Sequence, residues 1–395
     1  MGQGIITRRG GGSYAKIVYD NYMPDNSLKK GIGVTRTDTI KLSVTKFGAA
    51  ATTIGDYALF GGGDNQNAVV NAYDRSLVRT VPTPLSVGRG YLSATAVGEY
   101  ALFGGGESSP GAYSNRVDAY NRSLARTTPT ALSTARSYLS ATAVGEYALF
   151  SGGRNRNAVV DAYNGSLVRT TPTQLSLPKD SPASATIGDY ALIGGGSYSD
   201  IVDAYDKSLV RTTLTPLSVG REYLSATATR DYALFGGGRL SSDYYNTVDA
   251  YDKSLVRITP TPLSIAREEL SSTSLDEYAL FCGGYSEVEN TTYQNTVDAY
   301  DRSLVRTIPT PLSAAKYGLA ATTIGDYALI GGGRAGTFSN DVDVYQIEYG
   351  ASISITAKSK YSFDGESEQT ANSNIVLGVK IPVNGYIKMK SGIFN

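Results

Sequence analysis

The sequence predicts an all-β fold, a seven-bladed β-propeller with four antiparallel strands per blade. Three observations predict it. The phrase Gly55-Asp56-Tyr57-Ala58-Leu59-Phe60-Gly61-Gly62-Gly63 returns seven times, with its tyrosine at Tyr57, Tyr100, Tyr147, Tyr190, Tyr232, Tyr278 and Tyr327. Tyr57 to Tyr327 is 270 residues over six intervals, a mean period of 45, which suits four short strands and their turns. No period of 3.6 runs through any copy.

The second copy shows how each element is recognised. Strand a is Leu92 to Val97 and strand b is Tyr100 to Phe103, with the turn Gly98-Glu99 between them. Strand c is Val117 to Tyr120 and strand d is Leu124 to Thr127, separated by Asn121-Arg122-Ser123. The strand-c tyrosine recurs as Tyr73, Tyr120, Tyr163, Tyr205, Tyr251, Tyr300 and Tyr345. The seventh copy stops after strand c at Tyr345. Its missing strand d is found near the start of the chain, because Val34-Thr35-Arg36-Thr37 lies 270 residues before Leu304-Val305-Arg306-Thr307. Residues 34–40 are therefore expected to close the ring, which removes the exposed edges of an open one. This places the propeller at 34–346, between an N-terminal extension at 1–33 and a small β-rich appendage at 347–395. In these ends, strands are expected near Tyr14–Tyr19, Ser352–Thr356, Ile375–Ile381 and Gly385–Met389.

The pattern resembles the kelch family. Glycines close strand b (Gly104-Gly105-Gly106), Tyr120-Asn121 follows on strand c (Tyr-Asp in several copies), and a basic residue, Arg136, precedes the next strand a. The match covers roughly residues 33–346. The chain departs from the family in having no tryptophan at all. Leu124 and its equivalents stand near that place on strand d, so aliphatic packing between blades is expected. The termini loosely resemble those of tail-associated proteins of phages and prophages.

Strands alternate direction, so the b–c and d–a loops share one face. The b–c loops run from four residues (Ser197–Asp200) to twelve (Tyr285–Thr296), and such variation on a fixed scaffold is where binding is carried. They hold Tyr113, Tyr198, Tyr244, Tyr245, Tyr285, Tyr293 and Phe338, candidate ligand contacts because an aromatic face with a hydroxyl suits sugar or protein surfaces. A basic residue stands eleven positions before every strand-b tyrosine: Lys46, Arg89, Arg136, Lys179, Arg221, Arg267 and Lys316. A ring of seven charges beside the channel would attract carboxylate, sulfate or phosphate. The alternative, weighted more heavily, is that each pairs with acids or carbonyls. The glycine triplets are read as sites of close backbone packing, since a phosphate-binding loop needs a helix after it. The strand-c aspartates Asp118, Asp161, Asp203, Asp249, Asp298 and Asp343 are read as hydrogen-bonding within their blades.

Composition narrows the function. The 36 basic and 36 acidic residues cancel, which gives none of the basic excess of a nucleic-acid binder. No run of eighteen apolar residues provides a membrane span. The first residues lack the apolar stretch of a signal peptide, so synthesis in a cytoplasm without export by that route is expected. The single cysteine, Cys282, is expected to be a buried neutral thiol. The chain has no histidine, which excludes Ser-His-Asp triads and histidine-ligated zinc or copper. The oxidases within the kelch family imply copper held by histidine, so that site does not exist here. No cofactor or metal is expected. The leading expectation is a non-catalytic receptor- or glycan-binding component of a phage tail or virion, associated with other tail proteins and able to self-associate through its ends. An intracellular protein-interaction scaffold and a mutarotase-like sugar enzyme are the alternatives.

Overall fold

The computed structural model describes residues 4–5, 13–17, 31–64, 67–154, 157–287, 292–363 and 367–380. It divides into two compact units, Thr35–Gln346 and the pair of terminal segments Met1–Val34 and Ile347–Asn395. No helix occurs among the described residues, and so none there is long and apolar enough to cross a membrane.

The larger unit is a seven-bladed propeller of four-stranded antiparallel blades. In blade 2, Ser93–Val97 pairs with Tyr100–Gly104, which pairs with Val117–Asn121, which pairs with Arg126–Thr127. The a strands of neighbouring blades adjoin one another, and the last adjoins the first. Strand a alternates buried and half-buried positions, as in Ala50–Ile54, because one face meets its own blade's neighbours and the other the channel. Hydroxyls link successive a strands: Thr142 to Thr186 at 2.7 Å, Ser225 to Ser272 at 2.7 Å, and Thr53 to Thr322 at 2.8 Å across the closing junction. Strand b is buried on both faces, so it reads as an unbroken apolar run, Ala-Leu-Phe.

The cores lie between blades. One cluster joins Leu59, Val70, Leu85 and Leu92 of blade 1 and its connection to Ala101, Phe103 and Tyr120 of blade 2. Phe103 meets Tyr120 edge-on at 5.9 Å, and the same pair recurs as Phe60–Tyr73, Phe150–Tyr163, Phe235–Tyr251 and Phe281–Tyr300. The packing is thus aromatic as well as aliphatic, which corrects the expectation drawn from the absent tryptophan. Every strand-c tyrosine also ties its blade to the incoming connection, as Tyr120 Oη donates to the Thr83 carbonyl at 2.8 Å. Leu124 lies before strand d, in the c–d turn, with φ of 61°. The turn is held by Asn121, whose side-chain oxygen accepts from the Ser123 and Ala125 amides. That bonding explains why the aspartate or asparagine ending strand c is repeated.

The glycine triplets serve close approach, as expected. A Cβ at Gly61 would stand 2.7 Å from the Phe103 ring of the next blade, and one at Gly62, at φ of 74°, 2.5 Å from the Arg89 carbonyl. Cys282 is fully buried and burial pushes its thiol well up, so it is neutral.

The ring closes as the 270-residue register predicts. Strand Gly31–Lys46 pairs with Thr337–Phe363. Thr37 Oγ1 donates to the Val344 carbonyl at 3.4 Å, and Arg36 reaches Asp343 at 3.5 Å as Arg306 reaches Asp298 at 3.6 Å. In the smaller unit, Ser13–Ile17 lies where a strand was expected from Tyr14. It pairs with Ser359–Ile355, and Ile355 in turn faces Ile375 of Ser367–Lys380. The expected strand Gly385–Met389 lies outside the described residues.

Candidate ligand-binding channel mouth

The seven basic side chains are buried: Lys46 and Lys316 are 1% exposed and the other five 0%. Arg89, Arg136, Arg221 and Arg267 pair with Asp118, Asp161, Asp249 and Asp298 at 2.8–2.9 Å, and Lys316 reaches Asp343 at 3.4 Å. Each arginine also donates to a strand-b carbonyl, Arg136 to that of Phe150 at 3.0 Å. Lys179 donates to the carbonyls of Gly195 and Ile201, and Lys46 to those of Gly62 and Val69. The pairing with acids or carbonyls, the more heavily weighted reading, is thus the arrangement found: five of the seven are paired with aspartates, while Lys46 and Lys179 are held by carbonyls alone. Asp118 is the hub of its blade, since it also accepts from the Ser86 amide at 2.9 Å and reaches Arg126 at 3.4 Å.

Three other repeat positions reach the mouth of the channel, and all three change from blade to blade. The first residue after each basic side chain lies beside the first residue after each glycine triplet. Bridges join Gly90 to Glu107, Glu222 to Arg239 and Glu268 to Tyr285, and Tyr317 pairs with Arg334. The Asp64, Arg154 and Ser197 amides donate to the carbonyls of Phe47, Ser137 and Asp180. The second residue after the basic one forms the inner rim: Gly48, Tyr91, Tyr138, Ser181, Tyr223, Glu269 and Gly318. All seven are left-handed, with φ from 47° to 63°. A side chain there costs roughly 1–3 kcal/mol of backbone strain, yet five of the seven positions carry one. These residues line a cavity of about 330 Å3 with the serines, alanines and leucines of the a strands.

The loop aromatics join this rim. Tyr244 lies 6.0 Å from Tyr285, Tyr285 packs on Tyr293 and Tyr317, and Tyr293 stacks on Tyr317 at 5.5 Å. Phe47 links Tyr317 to Tyr91 and stacks on Phe338 at 5.8 Å. Tyr91 stacks on Tyr138 at 4.3 Å, and Tyr138 meets Tyr223 edge-on at 6.2 Å. The result is an arc of rings around the mouth. Of the candidates, Tyr244, Tyr285, Tyr293 and Phe338 belong to it. Tyr113 bridges to Glu107 and makes no ring contact with the arc among the described residues, Tyr198 is exposed with its hydroxyl raised in pKa by Glu222, and Tyr245 holds its loop through backbone bonds to Gly238 and Arg267. Phe47, Tyr91, Tyr138, Tyr223 and Tyr317 were missed, because they lie in the d–a connection rather than in the b–c loops. Seven aligned copies reveal them as variable columns beside a fixed basic one.

Blades 4 to 6 give the mouth an acidic sector. Arg239 lies 3.5 Å from Glu222 and 3.2 Å from Glu268, and Arg154 lies 3.9 Å from Asp180. Burial raises the Glu268 carboxyl to about 7, against the opposing pull of Arg239, and burial also raises Glu269 and Glu222. Arg154 stacks on Tyr138 at 4.1 Å and Arg239 on Tyr223 at 4.9 Å.

No protein-family model and no curated protein matches the chain. A solved structure described as "Structure of YjhT" is similar to it, with a TM-score of 0.55 and 13% identity, over 68% of this chain and 99% of that one. At that identity the likeness shows the propeller fold alone.

Proposed function

We propose that the chain is a binding protein that recognises a glycan or protein receptor on a cell surface through the channel mouth, as a component of a larger assembly such as a phage tail or virion. The observation that carries the reading is the convergence of three variable columns on one face of a scaffold that otherwise repeats itself. Strained backbone at the inner rim supports it, since left-handed tyrosines are retained at a cost that the fold does not require: Gly48 and Gly318 fill the same position. The aromatic arc offers rigid, amphipathic contact area at low entropic cost.

The test is saturable binding of the labelled chain to a panel of bacterial cells. Binding is expected on some strains and lost on replacing Tyr91 and Tyr138 by serine with the melting temperature retained. Absence of binding to every strain, together with recovery of one stoichiometric cytosolic partner, would overturn the reading in favour of an intracellular scaffold.

A further inference from the structure

Beside the rim lies a second pocket of about 440 Å3, within the range of roughly 300–1,000 Å3 usual for small-ligand clefts. Its wall is built from Asp64, Tyr91, Glu107, Tyr138 and Arg154, with Ser108 to Pro110 at its outer side. The wall is already ordered. Tyr91 and Tyr138 lie ring on ring at an interplanar angle of 13°, and the Arg154 guanidinium caps Tyr138. Glu107 is held by the Gly111 amide, which donates to its carboxylate at 2.6 Å.

The chemistry of this wall is that of a polyol site. Carboxylates accept from hydroxyls, a guanidinium and tyrosine hydroxyls donate to them, and the edges of the stacked rings add apolar carbon beside them. Its charge then selects among sugars. Asp64 and Glu107 outnumber Arg154, and Arg154 is drawn towards Asp180. Arg239, a second mouth arginine, lies between Glu222 and Glu268, and a third, Arg334, lies over the Phe338 ring, so the three face Asp64, Glu107, Asp180, Glu222, Glu268 and Glu269. Of the seven buried basic groups beneath the rim, five are already paired with aspartates of their own blades. An anionic ligand would meet an excess of negative charge where water is partly excluded. We infer that this pocket takes a neutral pyranose unit of a glycan and disfavours carboxylated, sulfated or phosphorylated sugars. The inference rests on the binding reading above and specifies its ligand.

The experiment uses the intact chain on an array carrying matched glycan backbones with and without sialic acid, uronic acid or sulfate. Neutral members are expected to bind, and their acidic counterparts to bind about tenfold or more weakly. Glu107→Gln and Arg154→Ala are each expected to weaken neutral binding about tenfold at an unchanged melting temperature. The Asp64→Asn/Glu107→Gln pair is expected to narrow the gap between neutral and acidic glycans. Equal or tighter binding of acidic glycans overturns the inference, as does neutral binding indifferent to Glu107→Gln and Arg154→Ala. Cell binding that survives periodate oxidation of surface sugars overturns it too, while leaving a protein receptor in place. Loss of all cell binding removes the parent reading instead.

Discussion

A side chain replaces the first glycine of the triplet at two places, Ser151 and Cys282. At both, the next blade offers isoleucine (Ile193, Ile330) where the other five offer phenylalanine. The distances explain the pairing: a Cβ would stand 2.7 Å from the ring at Gly61 and 2.6 Å at Gly104, and only a smaller neighbour makes room. Ile330→Phe alone is therefore expected to destabilise the chain by about 1–3 kcal/mol through overpacking against Cys282. Adding Cys282→Gly should restore much of the loss, with a favourable coupling of about 1 kcal/mol or more in a double-mutant cycle by denaturant unfolding. Additive effects would refute the pairing.

Blade 1 shows the converse defect at the same scale. Asn71 stands where the other six blades have aspartate, its side-chain nitrogen is buried without a partner, and burial lowers the Lys46 amine to about 7. The unfolded chain binds that proton up to the ordinary lysine range near 10.5, so stability from this group rises with pH above about 7 and its cost is complete below. Asn71→Asp supplies the counter-ion and removes the orphan donor. It is expected to raise the Lys46 pKa, read by NMR of the side chain, and to gain about 1–3 kcal/mol at pH 6 with a smaller gain at pH 9. No gain at pH 6 would refute this account.

At the scale of elements, strand d is the outermost and shortest, two or three residues in blades 1 to 6. In blade 7 it comes from the far end of the propeller sequence, so the same substitution should have unequal effects in different blades. Thr307→Pro removes ladder bonding from one blade, whereas Thr37→Pro loosens the strand that closes the ring. Thr37→Pro is expected to lower the melting temperature further and to speed proteolysis. Equal losses would mean that closure adds nothing. The closing strand was legible because register survives in Arg36-Thr37 and Arg306-Thr307 even where no fourth strand follows Tyr345. The mouth was less legible. Loop length drew attention to the b–c side, while Tyr91, Tyr138 and Tyr223 sit in d–a connections of constant length. The basic column left two readings open, of which the more heavily weighted pairing with acids or carbonyls is the one found. Periodicity shows that a charge is repeated, but not whether it faces the channel or the aspartate that repeats beside it.

At the scale of the molecule, the closing contact joins Arg36 to Asp343, which are 307 positions apart. At about 5–20 residues per second, a ribosome takes on the order of 15–60 s to pass from one to the other. Throughout that interval the strand at 31–46 has no mate, and Phe60 has no Gly331 to press against. Blades 1 to 6 can form as they emerge, since each needs only its own strands and the blade before it. The first blade, although made earliest, is finished last on its outer interface. Synthesis therefore leaves a waiting strand edge and a bare aromatic surface, able to meet a neighbouring nascent chain on the same message.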